Sequence, residues 1–111
     1  MSVKSIALAL LLALAAGRAN ADALSDYPTG PVRMIVPFAP GGATDVVARI
    51  FIDQLSARWG GKPIVIENRP GAGTIIGAGV VAKAPPDGYT LGMIVGSFMT
   101  NAAVSSNLPY D

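Results

Sequence analysis

Residues 32–45 read Val-Arg-Met-Ile-Val-Pro-Phe-Ala-Pro-Gly-Gly-Ala-Thr-Asp, and the whole fold can be read outward from them. Val32 to Val36 form a compact apolar run that fits a buried strand. Pro37 to Gly42 then break the pattern with two prolines and two glycines. From Thr44 or Asp45 to Trp59, the apolar residues Val46, Val47, Ile50, Phe51, Leu55 and Trp59 recur at helical spacing, and Gly60-Gly61 supplies a stop. The order is strand, turn, amphipathic helix.

Downstream the unit repeats in outline. Pro63 to Glu67 reads as a strand, Asn68 to Gly73 as a loop and Thr74 to Lys83 as a shorter helix. Glycines inside that last segment weaken a helix by about 1 kcal/mol each relative to alanine, which keeps a non-helical connection open as an alternative. Helix is preferred because parallel strands need a crossover at this point. Pro85-Pro86 and Asp87-Gly88 end the segment, Tyr89 to Val95 reads as a third strand, and Gly96 to Thr100 begin another loop. The expected fold class is α/β, with a parallel sheet built from βαβ units joined by right-handed crossovers.

Upstream, Lys4 precedes an apolar run from Ile6 to Ala16, and Ala19-Asn20-Ala21 has the small-x-small form that signal peptidase cuts. The run is well short of the ~20 residues that span a bilayer, so a secretory signal peptide over residues 1–21 is favoured over a retained anchor. Ala21-Asp22-Ala23 offers a second cleavage pattern. Residues 22–30 read as a linker kept extended by Pro28 and Pro31, and residues 31–111 as a partial α/β domain. The expected address is the periplasm. The closing Leu108-Pro109-Tyr110-Asp111 leads toward a further segment, so the chain is expected to be truncated.

The formal charge is +1, and it becomes −1 once Lys4 and Arg18 leave with the signal peptide. That balance provides no electrostatic footprint for nucleic acid. Cys and His are both absent, which excludes disulfides, Cys or His metal sites and His-based catalysis within this chain. No cofactor is expected.

In an open parallel sheet, ligands sit beyond the carboxyl ends of the strands. Gly41 and Gly42 lie just before a helix start, where unpaired N–H groups and the helix dipole favour an anion. Thr44 can cap that helix or donate its hydroxyl to a carboxylate. Asp45 has two open readings: a first-turn carboxylate that simply suits the dipole, or a hydrogen-bonding group that shapes a binding loop. For Gly41 and Gly42 the plainer reading is a tight turn. Gly71, Gly73 and Thr74 repeat the device in a second loop, where Arg69 could attract anions, although a lone loop arginine is more often solvated or salt-bridged. The third loop, Gly96 to Asn101, offers Ser97, Thr100 and Asn101, or is a plain polar turn. Gly73 to Gly77 fall one residue off a dinucleotide fingerprint, which makes a nucleotide- or phosphate-dependent enzyme an alternative reading.

Val-Pro-Phe-Ala-Pro-Gly-Gly-Ala-Thr-Asp (36–45), Glu-Asn-Arg-Pro-Gly-Ala-Gly (67–73), Ala-Lys-Ala-Pro-Pro-Asp-Gly-Tyr-Thr-Leu (82–91) and Leu-Pro-Tyr-Asp (108–111) together resemble the Bug family. These are the substrate-binding proteins of tripartite tricarboxylate transporters. The resemblance implies a two-domain receptor that closes on a small carboxylate and works with membrane transporter subunits. It further implies that main-chain N–H groups and hydroxyls of the first two loops hold the carboxylate. Carried over, that points to Phe38, Gly41, Gly42, Thr44 and Asp45, to Gly73 and Thr74, and to Ser97 from the third loop. Ile75 departs from the family, which commonly has a small polar residue there, and implies a less polar ligand. Length departs too, since family members run to about three times the mature chain, consistent with two ordinary domains. Beside the receptor reading stands a truncated product without binding function, which would expose apolar surface.

Overall fold

A computed structural model describes residues 26–110, so the expected signal peptide lies outside the described residues. Strands and helices alternate as β1 (Val32–Val36), α1 (Ala43–Arg58), β2 (Ile64–Asn68), a 3-10 turn (Ala72–Thr74), α2 (Ile75–Ala82), β3 (Thr90–Gly92) and α3 (Gly96–Val104). The strands form one parallel sheet in the order β2-β1-β3. The α/β class and the parallel sheet agree with the sequence reading.

β1 is central and pairs on both edges, which explains its apolar run, interrupted only by Arg33: Val32, Met34, Ile35 and Val36 are all buried. Alternation along the strand assigns the two faces. Met34 and Val36 pack with Ile64, Ile66, Leu91 and Met93 against Ala48 and Ile52 of α1. On the opposite face lies α2, close enough that a Cβ on Gly92 would stand 2.9 Å from a Val81 methyl.

α1 begins at Ala43, one or two residues before the expected start, with Gly42 as its N-cap. Its buried side chains are Asp45 and Ala48, whereas Val46, Val47, Ile50 and Phe51 of the expected apolar stripe remain about half exposed. The helix meets the sheet through Ala48 and Ile52, one turn apart, with buried Asp45 on the turn before, and small Ala48 allows a close approach.

For Thr74 to Lys83 the helix reading holds, although α2 starts at Ile75 and ends at Ala82. Its glycines serve close packing. A Cβ on Gly77 would come within 2.8 Å of Pro37 Cβ and 3.0 Å of the Arg69 carbonyl oxygen, while one on Gly79 would meet the Pro109 ring. β3 is shorter than expected, three residues against Tyr89 to Val95, since its register with β1 runs only from Arg33 to Ile35. One further bond, Met93 N–H to the Ile35 carbonyl at 2.9 Å, carries the pairing just past it.

One expectation is corrected. The third loop is a helix: Gly96 to Asn101 form the first turns of α3, and Ser97, Thr100 and Asn101 belong to it. Polar composition suggested a turn there, but Phe98 stacks on Tyr110 with ring centroids 4.8 Å apart, and that packing favours the helix over local propensity. Within residues 26–30 two side chains pack onto the domain. The Tyr27 hydroxyl donates to the Gly88 carbonyl, the Tyr27 ring packs edge-on against Trp59 and Tyr89, and Pro28 is fully buried.

Candidate functional site

Parallel strands place all their carboxyl ends on one edge of the sheet, so the segments 37–42, 69–74 and 93–95 gather there. β1 hands its chain to α1 on one face and toward β2, whereas the chain reaches β3 by way of α2 on the other face. This reversal beside β1 is the place where an open sheet parts to hold a ligand.

The first segment turns on Gly41, whose φ of +84° is costly for any residue with a Cβ. Its N–H donates to Asp45 Oδ2 at 2.9 Å. Asp45 is 1% exposed and also accepts from Arg49 Nε at 2.9 Å and from Asn68 Nδ2 at 2.8 Å. The same Asn68 nitrogen donates to the Phe38 carbonyl at 3.0 Å. Of the two readings of Asp45, the geometry shows the loop-shaping bond, since its carboxylate turns back to Gly41 and the cap is Gly42. Thr44 lies inside the first turn and is not the cap. The first α1 backbone bond runs from Val46 N–H to the Gly42 carbonyl at 3.0 Å, which leaves the N–H groups of Ala43, Thr44 and Asp45 without intrahelical partners.

Hydrogen bonds from Arg49, then Asn68, then Gly41 hold the Asp45 carboxyl well below the usual carboxylate range, against a smaller opposing push from burial. Asp45 is therefore ionised at any ordinary pH. Arg49 balances its charge locally, so the start of α1 keeps the positive end of its dipole.

The second segment runs through four successive residues of positive φ: Gly71 at +127°, Ala72 at +47°, Gly73 at +60° and Thr74 at +82°. A β-branched residue in that region is strained by roughly 1–3 kcal/mol, and such strain concentrates at functional sites. Thr74 was expected at the helix start, and it is there, but its side chain does not cap α2. Its buried hydroxyl sits 3.1 Å from the Ser97 hydroxyl, and Asn101 Nδ2 donates to the Gly73 carbonyl at 2.6 Å. Gly73, Thr74 and Ser97 thus form one cluster and Phe38, Gly41, Gly42, Thr44 and Asp45 another. Pro37, Thr74, Val95 and Phe98 line a narrow, mostly apolar crevice where the segments meet.

Behind the second segment, Glu67 accepts from Arg33 Nε at 2.6 Å and from Arg69 Nη2 at 3.1 Å. The loop arginine is thus salt-bridged. The Arg33 and then the Arg69 hydrogen bonds lower the Glu67 carboxyl from 4.5 to about 2. A carboxyl lowered on folding adds stability above its unfolded value, and that stability is lost as pH falls through the folded one. Melting temperature should therefore decline between about pH 4.5 and about pH 2 by roughly 2–5 °C through this group, a modest figure because all three side chains are partly solvated. Melting curves of Glu67→Gln against the parent chain over that range check this, and parallel curves would remove the group from the acid response.

The description "tripartite tricarboxylate transporter family receptor" matches residues 47–111. The chain belongs to this receptor family. Bug-family relatives bear this out: the chain is 49% identical over 76 residues to BugT of Bordetella pertussis, covering 68% of this chain and 23% of that protein. A solved structure of a periplasmic transporter superposes with a TM-score of 0.71 at 48% identity, covering 77% of this chain and 29% of the other. MatC from Rhodopseudomonas palustris, solved with bound malate, gives 0.56 at 47% identity over 60% of this chain and 22% of that one. The chain spans 30% of the length of another curated relative from Bordetella pertussis, so these receptors are about three times as long or more.

The sequence reading missed Asn68 and Arg49. Asn68 had a signal: with strand periodicity it shares a face with Ile64 and Ile66, the face on which α1 lies. Arg49 had one too, four residues after Asp45 on a helix.

Proposed function

We propose that this Bug-family chain supplies one wall of a periplasmic receptor for a small carboxylate, gripping the anion at the start of α1. The supporting observation is the set of N–H groups at Ala43 to Asp45 without intrahelical partners, next to a loop that Asp45 and Asn68 hold in place. A carboxylate oxygen accepts from these groups and meets the positive end of the helix dipole. Thr44 adds a hydroxyl. Thr74 and Ser97, bonded to each other, offer two further hydroxyls to the other end of the ligand, and Phe38, 36% exposed, covers its apolar part. Bound malate in MatC supports a dicarboxylate as the ligand class. In this reading residues 1–21 direct export, residues 31–111 form part of the first of two domains, and membrane transporter subunits receive the ligand. The chain needs no chemistry of its own to do this.

Calorimetry with malate tests the grip through Gly42→Asp. Position 42 has φ −76°, and its Cβ would meet only the Ala39 carbonyl oxygen at 3.6 Å, so the fold tolerates the change. Aspartate is even a good N-cap. Melting should stay level or rise while malate affinity falls roughly tenfold or more, because the new carboxylate repels the anion at contact distance. Equal affinity in both chains would take the start of α1 out of the site.

A further inference from the structure

We propose that Asn68 is a positioning residue that sets the first loop for anion capture; the role in capture rests on the carboxylate-receptor reading above. Asn68 is the last residue of β2, held in register opposite Val36 of the central strand. Its Nδ2 has two hydrogens and two acceptors, the Phe38 carbonyl at 3.0 Å and Asp45 Oδ1 at 2.8 Å. Asp45 Oδ2 in turn accepts from Gly41 N–H at 2.9 Å. The segment from Phe38 to Gly41 is therefore closed at both ends onto one amide–carboxylate pair, and that pair is anchored to the sheet.

Only an amide does this well. It brings two donors and no charge to a spot where Asp45 is ionised and already paired with Arg49. The other charged groups nearby, Glu67 and Arg69 on either side of Asn68 in the chain, are engaged with each other and with Arg33. Alanine would take the side-chain donor from the Phe38 carbonyl and leave Asp45 Oδ1 with only the longer Arg49 Nη2 contact at 3.3 Å. The loop would then have to be ordered by the ligand, and that ordering cost would appear as weaker binding.

Two substitutions and two measurements test the role. In the 111-residue chain, Asn68→Ala should speed hydrogen exchange at the Gly41 amide and weaken malate binding roughly tenfold at both about pH 5 and about pH 8. Asn68→Asp, nearly the same shape, should behave like Asn68→Ala at about pH 8, where two carboxylates face each other. It should recover toward the parent at about pH 5, because the Asp45 charge raises the new carboxyl's pKa and its protonated form donates again. General loosening of the fold predicts no such recovery. Unchanged Gly41 exchange in Asn68→Ala, or an Asn68→Asp chain whose binding and exchange follow the parent at both pH values, overturns the proposal. Failure of the parent chain to bind malate counts against the receptor reading alone, since Gly41 exchange still decides whether Asn68 sets the loop.

Discussion

Asp45→Asn is expected to lower the melting temperature by roughly 10 °C and to remove measurable malate binding. The carboxylate accepts from Gly41 N–H, Arg49 and Asn68 while almost fully buried, so every polar group around it is a donor. An asparagine in its place keeps one oxygen and turns an NH2 toward groups that can only donate. At least one of these part-buried donors is then left without its acceptor beside a buried side chain, which costs more than the net value of the bond that was lost. Because the same contacts hold Phe38 and Gly41 in place, stability and binding should fall together. Thermal melting and calorimetry on the same preparation check this. A variant that melts with the parent would show that the carboxylate's bonds are exchanged for water at no loss.

Gly77→Val is expected to destabilise the chain by about 3 kcal/mol. A helix interior normally gains up to ~1 kcal/mol when glycine is replaced by alanine. Here even a Cβ meets backbone on two sides, Pro37 Cα and the Arg69 carbonyl oxygen, both at 3.0 Å, and neither is the free end of a flexible side chain. Valine adds two methyl groups to that clash, so α2 must move away from β1 and from the loop that follows it. Gly79→Ala makes the natural comparison, because its Cβ meets only the edge of the Pro109 ring, at 3.0 Å, and a small shift relieves it. Denaturant midpoints should rank the parent above Gly79→Ala and Gly79→Ala well above Gly77→Val. Equal midpoints for the parent and Gly77→Val would mean that α2 does not lie against Pro37.

Most of the element order was legible because each signal was local. An apolar run between breakers marks β1, and double glycine after Trp59 marks the end of α1, whatever lies around them. Four short motifs in order were enough to place the chain in its receptor family, which the match over residues 47–111 supports. The glycines of α2 show the limit of such reasoning. By propensity they argue against a helix, and only the proximity of Pro37, Arg69 and Pro109 explains why a helix there must carry them.

The candidate site divides in the same way. By itself the sequence determined the parallel α/β class, the glycine turn ahead of α1 and the two hydroxyl-bearing positions Thr44 and Thr74, since these follow from composition and spacing along one stretch of chain. Tertiary structure alone decided that Gly96 to Asn101 are helical, that Thr74 turns to Ser97 instead of capping, and that Asn68 reaches across to Phe38 and Asp45. Each of those outcomes depends on partners 23 to 30 residues away in sequence or on a ring stacked from outside the helix. Hydrogen bonds and packing act over a few ångströms of space, and separation along the chain carries no record of which distant groups the sheet will bring within that range.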